Sequence, residues 1–77
     1  MNCIIGADNE SCKLLEEFVG NLSSLNLVGT FNDSINVSNL LSKQHDIDLL
    51  FLDIGILETD CFDFISNLNY KPNIIIV

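Results

Sequence analysis

The sequence alternates four short apolar runs with three longer stretches in which apolar residues recur every three or four positions. The short runs predict β-strands, because each lies between polar or glycine-containing segments. They are "NCIIG" (residues 2–6), "LNLVGTF" (25–31), "DLLFLDI" (48–54) and "NIIIV" (73–77). The segments "LLFL" and "IIIV" are apolar without alternation, which indicates parallel strands that are covered on both faces.

The three stretches between these strands predict amphipathic helices. "SCKLLEEFVGNL" opposes Glu16 and Glu17 with a face made of Leu14, Leu15, Phe18, Val19 and Leu22. "DSINVSNLLSK" spaces Ile35, Val37, Leu40 and Leu41 in the same way, and "TDCFDFISNL" spaces Cys61, Phe62, Phe64, Ile65 and Leu68. The candidate N-terminal caps are Asn9 or Ser11, then Asp33 or Ser34, then Thr59 or Asp60. Pro72 ends the third helix.

The order β-α-β-α-β-α-β predicts an α/β fold with a doubly wound parallel sheet, right-handed crossovers and helices on both faces. The chain forms one domain, residues 1–77. It reaches Val77 directly after an apolar strand, so we expect an interrupted fold, about two thirds of a doubly wound domain of about 100–150 residues. The apolar edge of the fourth strand then predicts self-association, as a homodimer or a larger assembly.

The charge of the chain narrows the choice of partners. Eleven acidic residues face three lysines, and the net charge is −8. This balance argues against direct binding of nucleic acid or of an anionic membrane surface by this segment. Cys3, Cys12 and Cys61 lie too far apart for a disulfide or zinc framework, and no signal peptide or membrane-spanning run is evident, so we expect a cytoplasmic location.

Two acidic residues follow strands that a 2-1-3 order makes neighbours. Asp8 follows the first strand and Asp53 closes the third, so both belong to the crevice at the carboxyl ends of the strands. Two carboxylates held close together repel unless a cation lies between them, and Mg²⁺ (magnesium) is the natural candidate. For Asp8 alone, a turn or a helix cap is an equally good interpretation. For Asp53 that interpretation is weaker, because no helix is predicted to start directly after it.

With these residues in place, the chain resembles the receiver domain of two-component response regulators, from "MNCIIGADNE" through "DIDLLFLDIGILETDCFDFISNL" to "KPNIIIV". The resemblance implies a flavodoxin-like fold with strand order 2-1-3-4 that lacks its fifth strand and last two helices. It implies that Asp53 accepts a phosphoryl group from a sensor histidine kinase, and that Asp8, Asp53 and the backbone carbonyl of Gly55 hold Mg²⁺. Such a domain is a phospho-acceptor and not an enzyme in its own right. The sequence segments of this chain resemble those of receiver domains that are joined to a LytTR-type DNA-binding domain.

The sequence departs from the receiver pattern at several positions. Ala7 replaces the first member of the acidic pair, and Leu57 and Cys61 replace a proline and a glycine of the loop after the acceptor. In the family, a Thr or Ser senses the phosphoryl group and a lysine pairs with it. Both residues would lie beyond Val77. These departures favour an alternative, a degenerate pseudo-receiver that serves only as an interaction or dimerisation module. A flavin-binding protein is disfavoured, because "GADNES" lacks the Ser, Thr and Gly amides that would wrap a flavin phosphate.

The remaining candidate residues have structural interpretations. We expect Cys3 to lie in the core, Cys12 to be partly exposed, and Cys61 to be a small, partly buried helix residue. We expect His45 to be solvated in a polar loop and the acids Asp46 and Asp48 to act as turn residues.

Overall fold

The computed structural model describes residues 1–77 and consists of four strands and three α-helices. The strands are β1 (Asn2–Gly6), β2 (Asn26–Phe31), β3 (Leu49–Leu52) and β4 (Asn73–Ile76). The helices are α1 (Asn9–Gly20), α2 (Ser34–Lys43) and α3 (Cys61–Ser66), with a single 3₁₀ turn at Ile54–Ile56. Every predicted strand and helix is present. However, α3 ends at Ser66, so the prediction that Pro72 ends this helix is wrong. None of the helices has the length and apolarity that crossing a membrane requires.

The four strands form one all-parallel sheet in the order β2-β1-β3-β4, which confirms the predicted fold class and strand order. The central strand β1 pairs with β2 on one side and with β3 on the other. At its carboxyl end, Gly6 lies opposite both Phe31 and Leu52. This register places the residues that follow β1 beside those that follow β3.

Helices cover both faces of the sheet, as the unalternating apolar strands predict. On one face, α2 and α3 bury a cluster composed of Ile4, Val37, Leu41, Ile47, Leu50, Leu52, Phe64 and Leu68. On the other face, α1 alone buries a smaller cluster composed of Cys3, Ile5, Ala7, Cys12, Val19 and Phe51. The two faces are therefore unequally covered, with two helices on one and a single helix on the other.

Several apolar residues predicted to face the core are exposed instead. In α1, Leu14 is 69% exposed and Phe18 is 55% exposed. The face of α1 that contacts the sheet consists of Cys12, Leu15 and Val19, so the apolar arc of this helix is wider than its contact with the sheet. Ile35 and Phe62 are exposed as well. Cys12 was predicted to be partly exposed and is buried, because it lies with Leu15 and Val19 on the face of α1 that contacts the sheet.

β4 is an exposed apolar edge strand, as the predicted strand order requires, although its apolar run without alternation is typical of a strand covered on both faces. The strand lies at the edge of the sheet, and Ile75 and Ile76 are about half exposed. Its apolar run is similar to that of β3, but β3 has a neighbouring strand on each side and β4 has one. An apolar run is therefore compatible with a central position in the sheet, but it does not show that the strand is central.

Gly6 lies in close contact with Val37 of α2. A Cβ atom added at Gly6 would lie 2.9 Å from Cγ2 of Val37. We expect Gly6→Ala to lower the free energy of unfolding by about 1–3 kcal/mol, because the buried Val37 has no free space to move into. The matched control is Gly20→Ala at the end of α1, where nothing lies within 4 Å of the added Cβ. Urea unfolding of both variants checks this, and equal midpoints would contradict the crowding at Gly6.

Candidate functional site

Asp8 and Asp53 lie side by side at the carboxyl edge of the sheet. They follow the neighbouring strands β1 and β3, and the backbone N–H of Asp53 donates to the carbonyl oxygen of Gly6 at 2.8 Å. The side chain of Asp53 is near enough to contribute to the lowered pKa of Asp8. The structure thus brings together the two acidic residues that the sequence singles out.

Asp8 caps helix α1. Its Oδ1 accepts a hydrogen bond from the backbone N–H of Ser11 at 2.8 Å, so the predicted caps Asn9 and Ser11 are both wrong. This hydrogen bond is the main reason that the pKa of Asp8 lies below its ordinary value, with smaller lowering contributions from Glu10 and Asp53 and an opposing one from burial. The cap uses one carboxylate oxygen and leaves Oδ2 available to a ligand.

Asp53 has a similar arrangement. Its Oδ1 accepts a hydrogen bond from the backbone N–H of Gly55 at 2.8 Å. The 3₁₀ turn Ile54–Ile56 begins directly after Asp53, which corrects the expectation that no helix starts there. A Cβ atom at Gly55 would lie 3.1 Å from this same oxygen, so the glycine allows the turn to close on the carboxylate. Asp53 is half-buried, and its Oδ2 also remains free for a ligand.

The donor set at this edge suits a hard divalent cation. It consists of two carboxylates, and no group of three or more His, Cys, Asp or Glu side chains converges there. Mg²⁺ is commonly held by one or two carboxylates and completes its octahedral coordination with water and a substrate phosphate. The free oxygens of Asp8 and Asp53 match that requirement, with the carbonyl of Gly55 as the predicted third protein ligand.

Ala7 does not face this crevice. Its side chain is completely buried in the cluster under α1, together with Cys12 and Phe51. Its carbonyl oxygen accepts hydrogen bonds from Nδ2 of Asn32 at 3.1 Å and from Sγ of Cys12 at 3.3 Å. These contacts fix the backbone that leads into Asp8. Sequence reasoning missed Asn32, although a polar residue directly after β2, beside β1, is a signal that could have identified it.

Because Ala7 is buried, replacing it with an acidic residue should destabilise the fold. We expect Ala7→Asp to lower the free energy of unfolding by about 3 kcal/mol or more, because the new carboxylate enters an apolar cluster without a partner. Asn9→Asp adds the same charge at an exposed position in the first turn of α1 and should be nearly neutral. Thermal unfolding of both variants tests this. An Ala7→Asp variant as stable as the wild type would show that the side chain can turn into the crevice.

Leu57 and Cys61 are both half-buried in the structure, which agrees with the expectation for Cys61.

Other candidate residues lie at the opposite, amino edge of the sheet. His45 is exposed, as predicted, and its ring stacks on Tyr70 at 5.0 Å between centroids. Asp48 was predicted to be a turn residue, but its Oδ2 accepts from the backbone N–H of Asn2 at 2.8 Å, and Asp46 contacts the same asparagine. Both acids therefore hold the start of β1.

No protein-family model, no curated protein and no solved structure matches this chain.

Proposed function

We propose that this chain is a cytoplasmic receiver module of a two-component response regulator, with flavodoxin-like topology and Asp53 as its phospho-acceptor. The observation that carries the proposal is the pairing of Asp8 and Asp53 on neighbouring parallel strands, each with one carboxylate oxygen held by a backbone N–H and the other free. The strand order and the position of the crevice agree with a site for an anionic ligand at the carboxyl ends of the strands.

The chemistry follows from the position of Asp53. Its free Oδ2 attacks the phosphorus atom of a phosphodonor, the new O–P bond forms, and the donor's P–N or P–O bond breaks with its electron pair leaving on the donor. The hydrogen bond from the Gly55 N–H to Oδ1 orients the carboxylate for this attack. Asp8, Asp53 and the backbone carbonyl of Gly55 would hold Mg²⁺, which would supply the positive charge that both reacting anions require. The donor is the phosphohistidine of a sensor kinase or a small acyl phosphate.

The test is incubation of the chain with acetyl phosphate and Mg²⁺, followed by intact-mass measurement. We expect the mass to rise by one phosphoryl group only when Mg²⁺ is present. Replacement of Mg²⁺ by EDTA is the control, because chelation removes the cation and leaves the fold unchanged. Absence of any mass gain would reject the phospho-acceptor function.

A pseudo-receiver without phosphoryl chemistry is the second candidate, and the buried position of Ala7 favours it. With Ala7 inside the apolar cluster, only Asp8 remains of the acidic pair, so the affinity for Mg²⁺ depends on fewer charges. A Mg²⁺ titration separates the two candidates. Binding at millimolar concentration or below that is lost in Asp8→Asn would exclude the pseudo-receiver, whereas no binding by the wild type would favour it.

We further propose that the chain self-associates through the edge of β4. Ile75 and Ile76 are exposed there, and the outer backbone groups of an edge strand are able to pair with a second chain. We expect light scattering to give a mass above that of the monomer that rises with concentration, and Ile76→Lys to shift it toward the monomer. A monomer at every concentration, with a cooperative thermal transition, would contradict this proposal.

A further inference from the structure

The molecule has one cavity, a cleft of about 240 Å³ between α2 and α3. Its walls come from α2, from the segment that leads into α3, and from α3 together with its C-terminal cap. Five of its seven lining residues carry an uncharged polar side chain, and these are Ser34, Ser38, Asn39, Thr59 and Asn67. Phe64 supplies apolar contact from the core beneath. We call this cleft the α2–α3 pocket.

The α2–α3 pocket lies where no further element of a doubly wound sheet would pack. α2 joins β2 to β3 and α3 joins β3 to β4, and the two helices bury the larger cluster on one face of the sheet. A further strand would pair with the free edge of β4, and the helix leading to it would lie beyond α3. The pocket therefore belongs to these two helices, and it is not an uncovered part of the sheet.

The polar side chains of the pocket are available to a ligand. None of the five donates or accepts a hydrogen bond within the chain. Hydroxyl and carboxamide groups each donate as well as accept hydrogen bonds. An apolar ligand would displace their water without replacing its hydrogen bonds, which is unfavourable. The lining therefore favours a ligand that itself carries both donors and acceptors.

The charges near the pocket disfavour an anion. Asp33 caps α2 by accepting a hydrogen bond from the backbone N–H of Asn36 at 2.8 Å, so a negative charge already lies at this helix end. Glu58 and Asp60 flank Thr59 in the chain, and the net charge of the chain is −8. A cation is disfavoured as well, because no lining residue is a carboxylate. The ligand that fits these charges is neutral.

The size and the aromatic surface of the pocket distinguish between neutral ligands. A volume of 240 Å³ lies below the range of about 300–1,000 Å³ for pockets that hold drug-sized ligands, so the pocket suits a single ring. A nucleobase is usually held by stacking on an aromatic face, but Phe64 is the one aromatic lining residue and is 9% exposed. A sugar ring instead carries hydroxyl groups around its perimeter, which matches polar side chains on several walls.

We propose that the α2–α3 pocket binds a neutral monosaccharide. Its hydroxyl groups would form hydrogen bonds with Asn39 of α2 and with Asn67 at the end of α3, while a C–H face of the ring would pack near Phe64. The hydroxyl side chains of the pocket would contribute further hydrogen bonds. This site uses neither Asp8 nor Asp53, so it does not depend on the function proposed above.

A titration of the 77-residue chain, followed through its amide chemical shifts, provides the test. The probes are glucose, galactose, mannose and ribose, the monophosphate of each sugar, and uracil. We expect at least one neutral sugar to give saturable shifts concentrated in α2, α3 and the segment before α3, with half-saturation at about millimolar concentration. The monophosphate of that sugar should bind more weakly by about tenfold or more, because of the negative charge of the chain.

Two asparagine variants locate the binding site. Asn67→Ala removes a polar group of the pocket and should weaken sugar binding by about three- to tenfold. Asn21→Ala is the matched control and should leave the affinity unchanged. Asn21 is the C-terminal cap of α1 as Asn67 is of α3, their φ angles are −86° and −88°, and both residues are exposed. The amide spectrum of each variant checks the fold.

Asn39→Ala is a second pocket variant with less risk to the fold. Asn39 is exposed within α2, and Ala favours a helix more than Asn does, so α2 should remain intact. We expect weakening of sugar binding similar to that of Asn67→Ala.

Several results would overturn the proposal. These are no saturable shift with any of the four sugars, shifts centred outside the pocket, equal affinity for a sugar and its monophosphate, and tighter binding of uracil than of every sugar. Unchanged affinity in Asn39→Ala and Asn67→Ala would also overturn it.

Discussion

Replacement of Asp53 by Asn is expected to abolish phosphoryl transfer to this chain from acetyl phosphate in the presence of Mg²⁺. An amide oxygen is a much weaker nucleophile than a carboxylate, and Asn also removes one of the two charges available to the cation. The fold should persist, because Asn can still accept the hydrogen bond that the N–H of Gly55 donates to Oδ1 of Asp53. The measured quantity is the fraction of chain that gains the mass of one phosphoryl group.

Asp60→Asn is the matched control for the loss of charge. Asp60 is exposed at the start of α3, and its side chain makes no capping hydrogen bond. This variant should be phosphorylated like the wild type. A mass gain that persists in Asp53→Asn would show that another group reacts, and the assignment of Asp53 as the acceptor would then be wrong.

Truncation of Phe64 is expected to have the largest effect on stability. Phe64 is 9% exposed and belongs to the cluster that α2 and α3 form against the sheet. Phe64→Ala should lower the free energy of unfolding by about 3–5 kcal/mol, through lost burial and the cavity left behind. Small domains have a total stability of about 5–15 kcal/mol, so this one change removes a large part of it.

Phe62→Ala is the control in the same helix. Phe62 is 80% exposed, so its truncation should change the free energy of unfolding by less than about 0.5 kcal/mol. Both changes replace Phe by Ala within α3 and alter helix propensity equally, which leaves burial as the difference between them. Urea unfolding followed by circular dichroism measures both, and similar midpoints would contradict the packing of α3 described above.

Asp8 combines two roles that the sequence presents as alternatives. The residue is a helix cap, through Oδ1 and Ser11, and it also lies beside Asp53 with Oδ2 free. A carboxylate has two oxygens with several lone pairs, so one can satisfy the helix while the other faces the crevice. The capping bond also fixes the carboxylate in place, which is useful for a residue proposed to hold a cation.

The fold was largely predictable from the order of apolar runs and periodic stretches. Local hydrophobic spacing determines whether a segment is a strand or a helix, and the β-α alternation then leaves few topologies for a parallel sheet. The positions of Asp8 and Asp53 followed directly, because the residues after neighbouring parallel strands meet at one edge. Their chemistry remains a proposal.

The sequence by itself determined the element types, the strand order and the meeting of Asp8 with Asp53. Only the tertiary structure decided which apolar residues are covered, since Phe62 and Phe64 both belong to the apolar set predicted for the third helix and only Phe64 is buried. It also decided that Ala7 packs under α1. The physical reason is that periodicity depends on neighbours along the chain, whereas burial depends on which other elements pack against each face.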